Sequence, residues 1–199
     1  DDNGQALDLA DIESIGAQVL NHATGVIKAA DADAIRPGNG GIVTNYGWIF
    51  GGAVDPEDGN DAIDFQDYDG EGTGTVANME GGIIEGTRHG ITGELKQALI
   101  ENDGLIVGLR GSGINIDLPE EGEFDPTEYI AVVENTGVIE GNAEGDQDGD
   151  GIDTDGLLDL FNTGRIEAFG SWDGGLSEAV TIGGGSITNE ASGIIRSVE

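Results

Sequence analysis

The residues of this chain best placed for chemistry run Asp146-Gln147-Asp148-Gly149-Asp150-Gly151-Ile152-Asp153-Thr154-Asp155-Gly156. Carboxylates at alternate positions, with glycine between them, can converge with a backbone carbonyl on a hard cation, and calcium takes about six to eight oxygens in this way. Asp146, Asp148, Asp150, Asp153 and Asp155 are therefore the expected metal ligands, and Ca2+ the expected ion. The run opens as D-x-D-x-D-G, but Leu157 stands where a helix-loop-helix calcium site needs Glu, and no helical periodicity flanks it. The expected site is a turn between strands. Its bland alternative is a solvated acidic loop leading into Asp150-Gly151-Ile152.

A second acidic stretch, Asp55-Pro56-Glu57-Asp58-Gly59-Asn60-Asp61, continues through Asp64, Asp67 and Asp69 with less regular spacing. The basic side chains offer one cluster, Arg88 and Arg110 with His89 beside them, and a polyuronate lyase would need such a base next to a bound calcium. Surrounding carboxylates would neutralise two lone arginines just as well. Paired carboxylates for glycoside hydrolysis have candidates in Asp61 with Asp64 and Asp150 with Asp153, although 40 acidic residues make such pairs commonplace. His22 has no serine in a nucleophile-elbow setting. Trp48 and Trp172 are candidate sugar-stacking faces, or simply packing.

Composition narrows the rest. A formal charge of -33 excludes a general phosphate-binding surface, so nucleic acid is not an expected partner. The absence of Cys removes disulfides and thiolate zinc sites. No run approaches the roughly 20 apolar residues that span a bilayer, and Asp1-Asp2-Asn3-Gly4 carries no leader pattern, so this segment is not expected to insert into a membrane. The 37% of hydrophobic residues fall in regular short runs, which argues for a buried core over disorder.

Those runs repeat. An apolar-x-Asn motif occurs at Val19/Asn21, Val43/Asn45, Val76/Asn78, Ile100/Asn102, Val133/Asn135, Leu160/Asn162 and Ile187/Asn189. A Gly-x-Ile follows each time, at Gly25/Ile27, Gly47/Ile49, Gly82/Ile84, Gly104/Ile106, Gly137/Ile139, Gly164/Ile166 and Gly193/Ile195. The step from Asn to that Ile is always even, which preserves the period-2 facing of strands. A third element, a small residue then an aliphatic one, follows in Ala34-Ile35, Ala62-Ile63, Gly90-Ile91, Gly113-Ile114, Gly151-Ile152 and Ala179-Val180.

Repeats of this length imply a solenoid. The expected fold is all-β, a right-handed parallel β-helix of about seven coils with three short strands per coil, about 35 Å long at the ~4.8 Å strand spacing. Residues 19–199 form its repeat domain, and residues 1–18 are expected to be an N-terminal cap or first partial coil. The recurrent Asn is expected at a corner, donating to one coil and accepting from the other, and the following Gly supplies positive φ or close packing.

The cadence V-x-N-x-G-x-I-x-G … D-A-I, clearest in Val43 to Gly51 with Asp61-Ala62-Ile63, resembles the passenger region of bacterial autotransporter-type surface proteins. Val133 to Gly141 with Asp150-Gly151-Ile152 repeats it, and the likeness covers about residues 16 to 198. It implies the fold more than the activity, since such coils carry adhesins, enzymes and inert stalks alike.

The expected function is a non-enzymatic structural or adhesive segment of a secreted bacterial cell-surface protein, stiffened by calcium and able to self-associate. Its expected partners are a host surface, a glycan or copies of itself, as a homo-oligomer or fibre. A polysaccharide-active lyase or hydrolase with an acidic, calcium-assisted groove is the alternative.

Overall fold

The computed structural model describes residues 4–10, 16–55, 59–68, 71–119, 124–144, 148–172 and 175–198. These residues are all-β, with one short 3-10 turn at Pro126–Glu128 and no α-helix. None of them forms a helix long and apolar enough to cross a membrane.

Strands of successive repeats pair in parallel and in register, giving three columns. The asparagine-bearing column aligns Val19, Val43, Val76, Ile100, Val133, Leu160 and Ile187. The second aligns Ile27, Ile49, Ile84, Ile106, Ile139, Ile166 and Ile195. The third aligns Leu7, Ile35, Ile63, Ile91, Ile114, Ile152 and Val180.

Side chains alternate across each strand, so one aliphatic per strand in each repeat points to the common interior. Inner members such as Ile49, Ile84, Ile106, Ile139 and Ile152 have no solvent exposure. Each contributes about 1.5–3 kcal/mol by leaving water. Repeat lengths vary mainly in the connections from Ile49 to Ile63, Ile63 to Val76, Ile114 to Val133, Ile139 to Ile152 and Ile166 to Val180, while the registers of the columns hold. Strands Ile91–Asn102, Ile152–Asn162 and Val180–Asn189 run unbroken from the third column into the first, which joins these two columns in one sheet.

Leu7–Asp8 pairs with Ile35–Arg36, so residues ahead of Val19 supply a strand to the third column. Residues 11–15 of that segment lie outside the described residues.

The asparagines form a continuous row. Each Nδ2 donates to the Oδ1 of the next repeat's Asn, at 2.8 Å from Asn21 to Asn45, 2.9 Å from Asn45 to Asn78 and 2.8 Å from Asn78 to Asn102. The row continues at 2.8 Å to Asn135, 2.7 Å to Asn162 and 2.7 Å to Asn189. Spare amide capacity satisfies bend carbonyls, for example Asn45 Nδ2 to the Gly47 and Ile83 oxygens, both at 3.1 Å.

The step from Asn to Ile is short, as from Asn45 to Ile49, or two residues longer, as from Asn21 to Ile27, and the difference has a local cause. In short steps the Asn turns back on its own bend, as Gly47 N–H donates to Asn45 Oδ1 at 3.1 Å and Gly104 N–H to Asn102 Oδ1 at 3.2 Å. In long steps a backbone turn takes over, with Gly25 N–H on the His22 oxygen and Gly82 N–H on that of Met79.

None of the seven repeat glycines has positive φ, so of the two expected roles close packing is the one they fill; in the bend after Asn78 the positive φ falls on Gly81. A Cβ on Gly47 would lie 2.3 Å from the Gly25 carbonyl oxygen stacked beside it. The tightest glycine is Gly86, where a Cβ would meet the His89 oxygen at 1.8 Å. Gly86→Ala is expected to cost about 2–3 kcal/mol through forced backbone displacement, measured as a lower urea midpoint at unchanged slope.

Candidate cation-binding cluster

The residue before each small-aliphatic pair occupies a corner whose own column reads Asp33, Asp61, His89, Ser112, Asp150 and Glu178. The backbone N–H at this corner finds its acceptor in the previous repeat's side chain. Asp61 N–H donates to Asp33 Oδ1 at 2.9 Å, His89 N–H to Asp61 Oδ1 at 2.9 Å, and Ser112 N–H to His89 Nδ1 at 2.9 Å. Glu178 N–H likewise donates to Asp150 Oδ1 at 2.8 Å. Acidic residues recur here because the corner needs acceptors.

At the C-terminal end of this column the acids cluster. Asp148, Asp150 and Glu178 each bring a carboxylate oxygen within 4.8 Å of the others, a group that could hold a metal ion. Asp148 is fixed by its Oδ1, which accepts from Gly149 N–H at 2.8 Å and from Ser177 Oγ at 3.0 Å. Asp150 is buried and also accepts from the Thr181 hydroxyl.

Burial pushes the Asp150 carboxyl up to about 6, against the hydrogen bonds from Thr181 and the Glu178 N–H, with Asp148 and Glu178 adding like charge. Asp153, facing outward from the next strand position, is pushed up to about 7 by burial and then by Asp150, Asp155, Asp117 and Asp148. So many negative neighbours make ionisation costly. A hard cation would reverse that cost by supplying the missing opposite charge.

Of the five expected ligands, Asp148 and Asp150 come together in the group, and Glu178 joins them from one repeat later. Asp153 and Asp155 lie beside it on the strand Ile152–Asn162, where Asp155 Oδ2 accepts from Leu118 N–H at 3.2 Å. Asp146 lies outside the described residues. Glu178 was findable in the sequence, since it precedes Ala179-Val180 as Asp150 precedes Gly151-Ile152.

The second acidic stretch is built differently. Asp61 takes its place in the corner column, while Asp64 faces outward and meets Arg36 Nε at 3.2 Å. Arg36 also binds Asp33, with Nη2 to Oδ2 at 2.7 Å. Glu57, Asp58 and Asp69 lie outside the described residues.

His89 is buried, and its Nδ1 accepts a backbone proton; burial, then the Arg88 charge, push its pKa down to about 3. It is a neutral corner acceptor. Arg110 Nε pairs with Glu144 at 2.9 Å, and the Gly111 backbone packs on Arg88. His22 is exposed. Trp48 stacks obliquely on Phe50, ring centroids 5.4 Å apart, and Lys28 Nζ lies 5.6 Å from the Trp48 centroid. The Trp172 side chain lies outside the described residues.

No protein-family model, curated protein or solved structure matches this chain.

Proposed function

We propose that the chain is a right-handed parallel β-helix of about seven coils, serving as a non-enzymatic structural and adhesive segment of a secreted bacterial cell-surface protein. The observation that carries this is the set of three in-register aliphatic columns joined to an unbroken asparagine row. Right-handed winding follows from the strong preference of parallel crossovers for that hand. The corner acids and His89 are occupied in holding the stack, and Arg36 and Arg110 are paired with carboxylates, which leaves few groups for catalysis.

Calcium is the ion that suits this group, and Asp148, Asp150 and Glu178 would hold it with backbone or water oxygens completing its shell. Its role is stiffening: it ties the loop at Asp148 to the following coil and removes mutual repulsion in a chain of charge -33. Saturating calcium is expected to stabilise the fold by about 2.7 kcal/mol at a hundredfold excess over Kd, raising Tm by roughly 5–10 °C relative to EGTA. Asp148→Asn and Glu178→Gln are expected to abolish that rise while melting normally in EGTA. An equal rise in both variants would remove the site.

The adhesive role is tested by binding to host cells and glycan arrays, where retention without turnover is expected. Unsaturated products or new reducing ends released from polysaccharide would instead establish the enzymatic alternative.

A further inference from the structure

We propose that the outer face of the asparagine-bearing column carries a binding groove for an extended, uncharged glycan. This rests on the adhesive reading above and names its surface and its ligand class.

The groove encloses about 440 Å³ and crosses the strands of four successive repeats. Its walls are two outward-facing rows, Ile42, Thr75 and Leu99 on one side and Thr73, Gln97 and Ile130 on the other, held in register by the parallel pairing. Gly74 and Ala98 lie between the rows on the inward side of their strands, so their backbones form the floor. At the ~4.8 Å strand spacing the four strands span about 14 Å. Ile42, Leu99 and Ile130 are 39%, 40% and 37% exposed, although the next residues Val43 and Ile100 are buried.

Charge narrows the occupant. Among the described residues no charged side chain lines the groove, in a chain of charge -33. Lys96, next to Gln97, is paired with Glu71 at 3.0 Å and Glu128 at 3.7 Å. The next outward positions beyond Leu99 and Val132 are Glu101 and Glu134, both exposed. An anionic ligand therefore meets repulsion at the margin, while a cationic one finds no carboxylate in the walls. The walls offer aliphatic surface and neutral hydrogen-bonding groups instead. Among the described residues the Thr75 hydroxyl and the Gln97 amide make no hydrogen bond, and the Thr73 hydroxyl makes only a long one, to Asn39 Oδ1 at 3.4 Å.

Other occupants fit less well. An acyl chain would cover the polar side chains of Thr73, Thr75 and Gln97 without pairing them. A peptide cannot add as a further strand, because Gly72–Asn78 and Ile91–Asn102 are already paired on both sides. A second copy would bring the acidic margin at Glu101 and Glu134 against its own like. A neutral glycan matches the walls, with C–H faces for the aliphatic side chains and hydroxyls for the threonines and Gln97. The length of one sugar unit in an extended chain is comparable with the strand spacing, so successive units meet successive strands. No side chain of the walls ligates a hard cation, so binding here is independent of calcium.

The test is isothermal titration calorimetry of the whole chain in EGTA with neutral β-1,4-linked gluco-, manno- and xylo-hexasaccharides, and with a hexauronate as the charged comparison. At least one neutral hexasaccharide is expected to bind at a single site, with an affinity unchanged by calcium and by salt between roughly 0.05 and 0.5 M. Thr75→Val, which keeps the shape and removes the hydroxyl, is expected to weaken binding about fivefold, and Leu99→Glu at least about tenfold. Phe161→Glu, at an exposed position of the same face outside the groove, is expected to bind like wild type, and circular dichroism checks the fold of each variant. No binding of any neutral hexasaccharide, tighter binding of the hexauronate, or a Leu99→Glu variant that binds no worse than Phe161→Glu would overturn the groove. Host cells or glycan arrays that retain wild type and Leu99→Glu alike would remove the groove and keep the adhesive reading, whereas no retention of wild type would remove both.

Discussion

Asn102→Asp is expected to destabilise the fold by about 4–5 kcal/mol at pH 7 and to lower Tm by on the order of 10 °C. Asn102 sits mid-row and is buried. Its Nδ2 faces three acceptors: Asn135 Oδ1 at 2.8 Å, the Val138 oxygen at 3.0 Å and the Gly104 oxygen at 3.3 Å. A carboxylate of the same shape keeps the bonds received from Asn78 and from Gly104 N–H. It turns the other three contacts into repulsions in a site that water cannot reach.

Asn102→Ala is milder, at roughly 2–3 kcal/mol, because it leaves a donor on Asn78 and an acceptor on Asn135 unpaired without burying charge. Asn189→Ala, at the exposed end of the row, is expected to cost less than about 1 kcal/mol. The carboxyl introduced by Asn102→Asp has its folded pKa raised, so the charge-dependent part of the deficit shrinks as pH falls through that value and is absent below the unfolded value, leaving only the loss of one donor. Urea unfolding of the variants at two pH values reads all of this. Equal losses at the middle and the end of the row would show that the amides do not act as a buried chain.

Wild-type stability is expected to increase by about 1–2 kcal/mol as pH falls from about 8 to about 5, the reverse of ordinary acid destabilisation. Burial raises Asp61 to about 7, with the His89 N–H opposing and Asp33 adding repulsion; burial also raises Asp64 to about 6, with Asp33 next in effect. Carboxyls whose folded pKa lies above the unfolded value of about 4 contribute stability that is full below the unfolded value and lost as pH rises through the folded one. Their gain therefore accrues between about pH 8 and pH 4.

His89 works against it. With its folded pKa down at about 3, the unfolded chain binds the proton first, so stability falls as pH drops below the unfolded value of about 6.5. The net curve should crest in the mildly acidic range. Asp61→Asn keeps an oxygen for the His89 N–H while removing the charge, and is expected to add about 2–3 kcal/mol at pH 8 and to flatten that limb. His89→Gln, which can still accept from Ser112, should steepen the rise below pH 6.5. A wild-type stability that declines steadily from pH 8 would contradict the buried-carboxylate account.

Much of the parallel all-β arrangement was legible because its determinants are periodic. Val, Asn, Gly and Ile recur where the strands align, and the even Asn-to-Ile step foretold that all would face one way. Of the two readings offered for residues 1–18, a cap or a first partial coil, the strand at Leu7 fits the partial coil, and Ala6-Leu7 is the same small-aliphatic pair that marks the later repeats. Local density of Asp pointed to Asp148 and Asp150 but not to Glu178, because the cluster closes between turns: Asp150 and Glu178 are 28 residues apart and brought together by register. Nothing in composition separated Asp61, a buried hydrogen-bond acceptor, from Asp64, which faces a guanidinium three positions on. Their difference is the side of the strand on which each stands.

The contrast between fixed columns and unequal loops has a consequence for how such a molecule can change. Lengthening a surface connection carries an entropic cost that grows only logarithmically, about 0.6 kcal/mol per doubling, while the interior does not register the added length. The long connection from Ile114 to Ile130, which leaves Ile114 against Ile152 and Ile130 against Leu157 in register, marks a natural insertion point. The in-register parallel columns behave as a frame whose displayed contents can be exchanged while the frame itself stays the same.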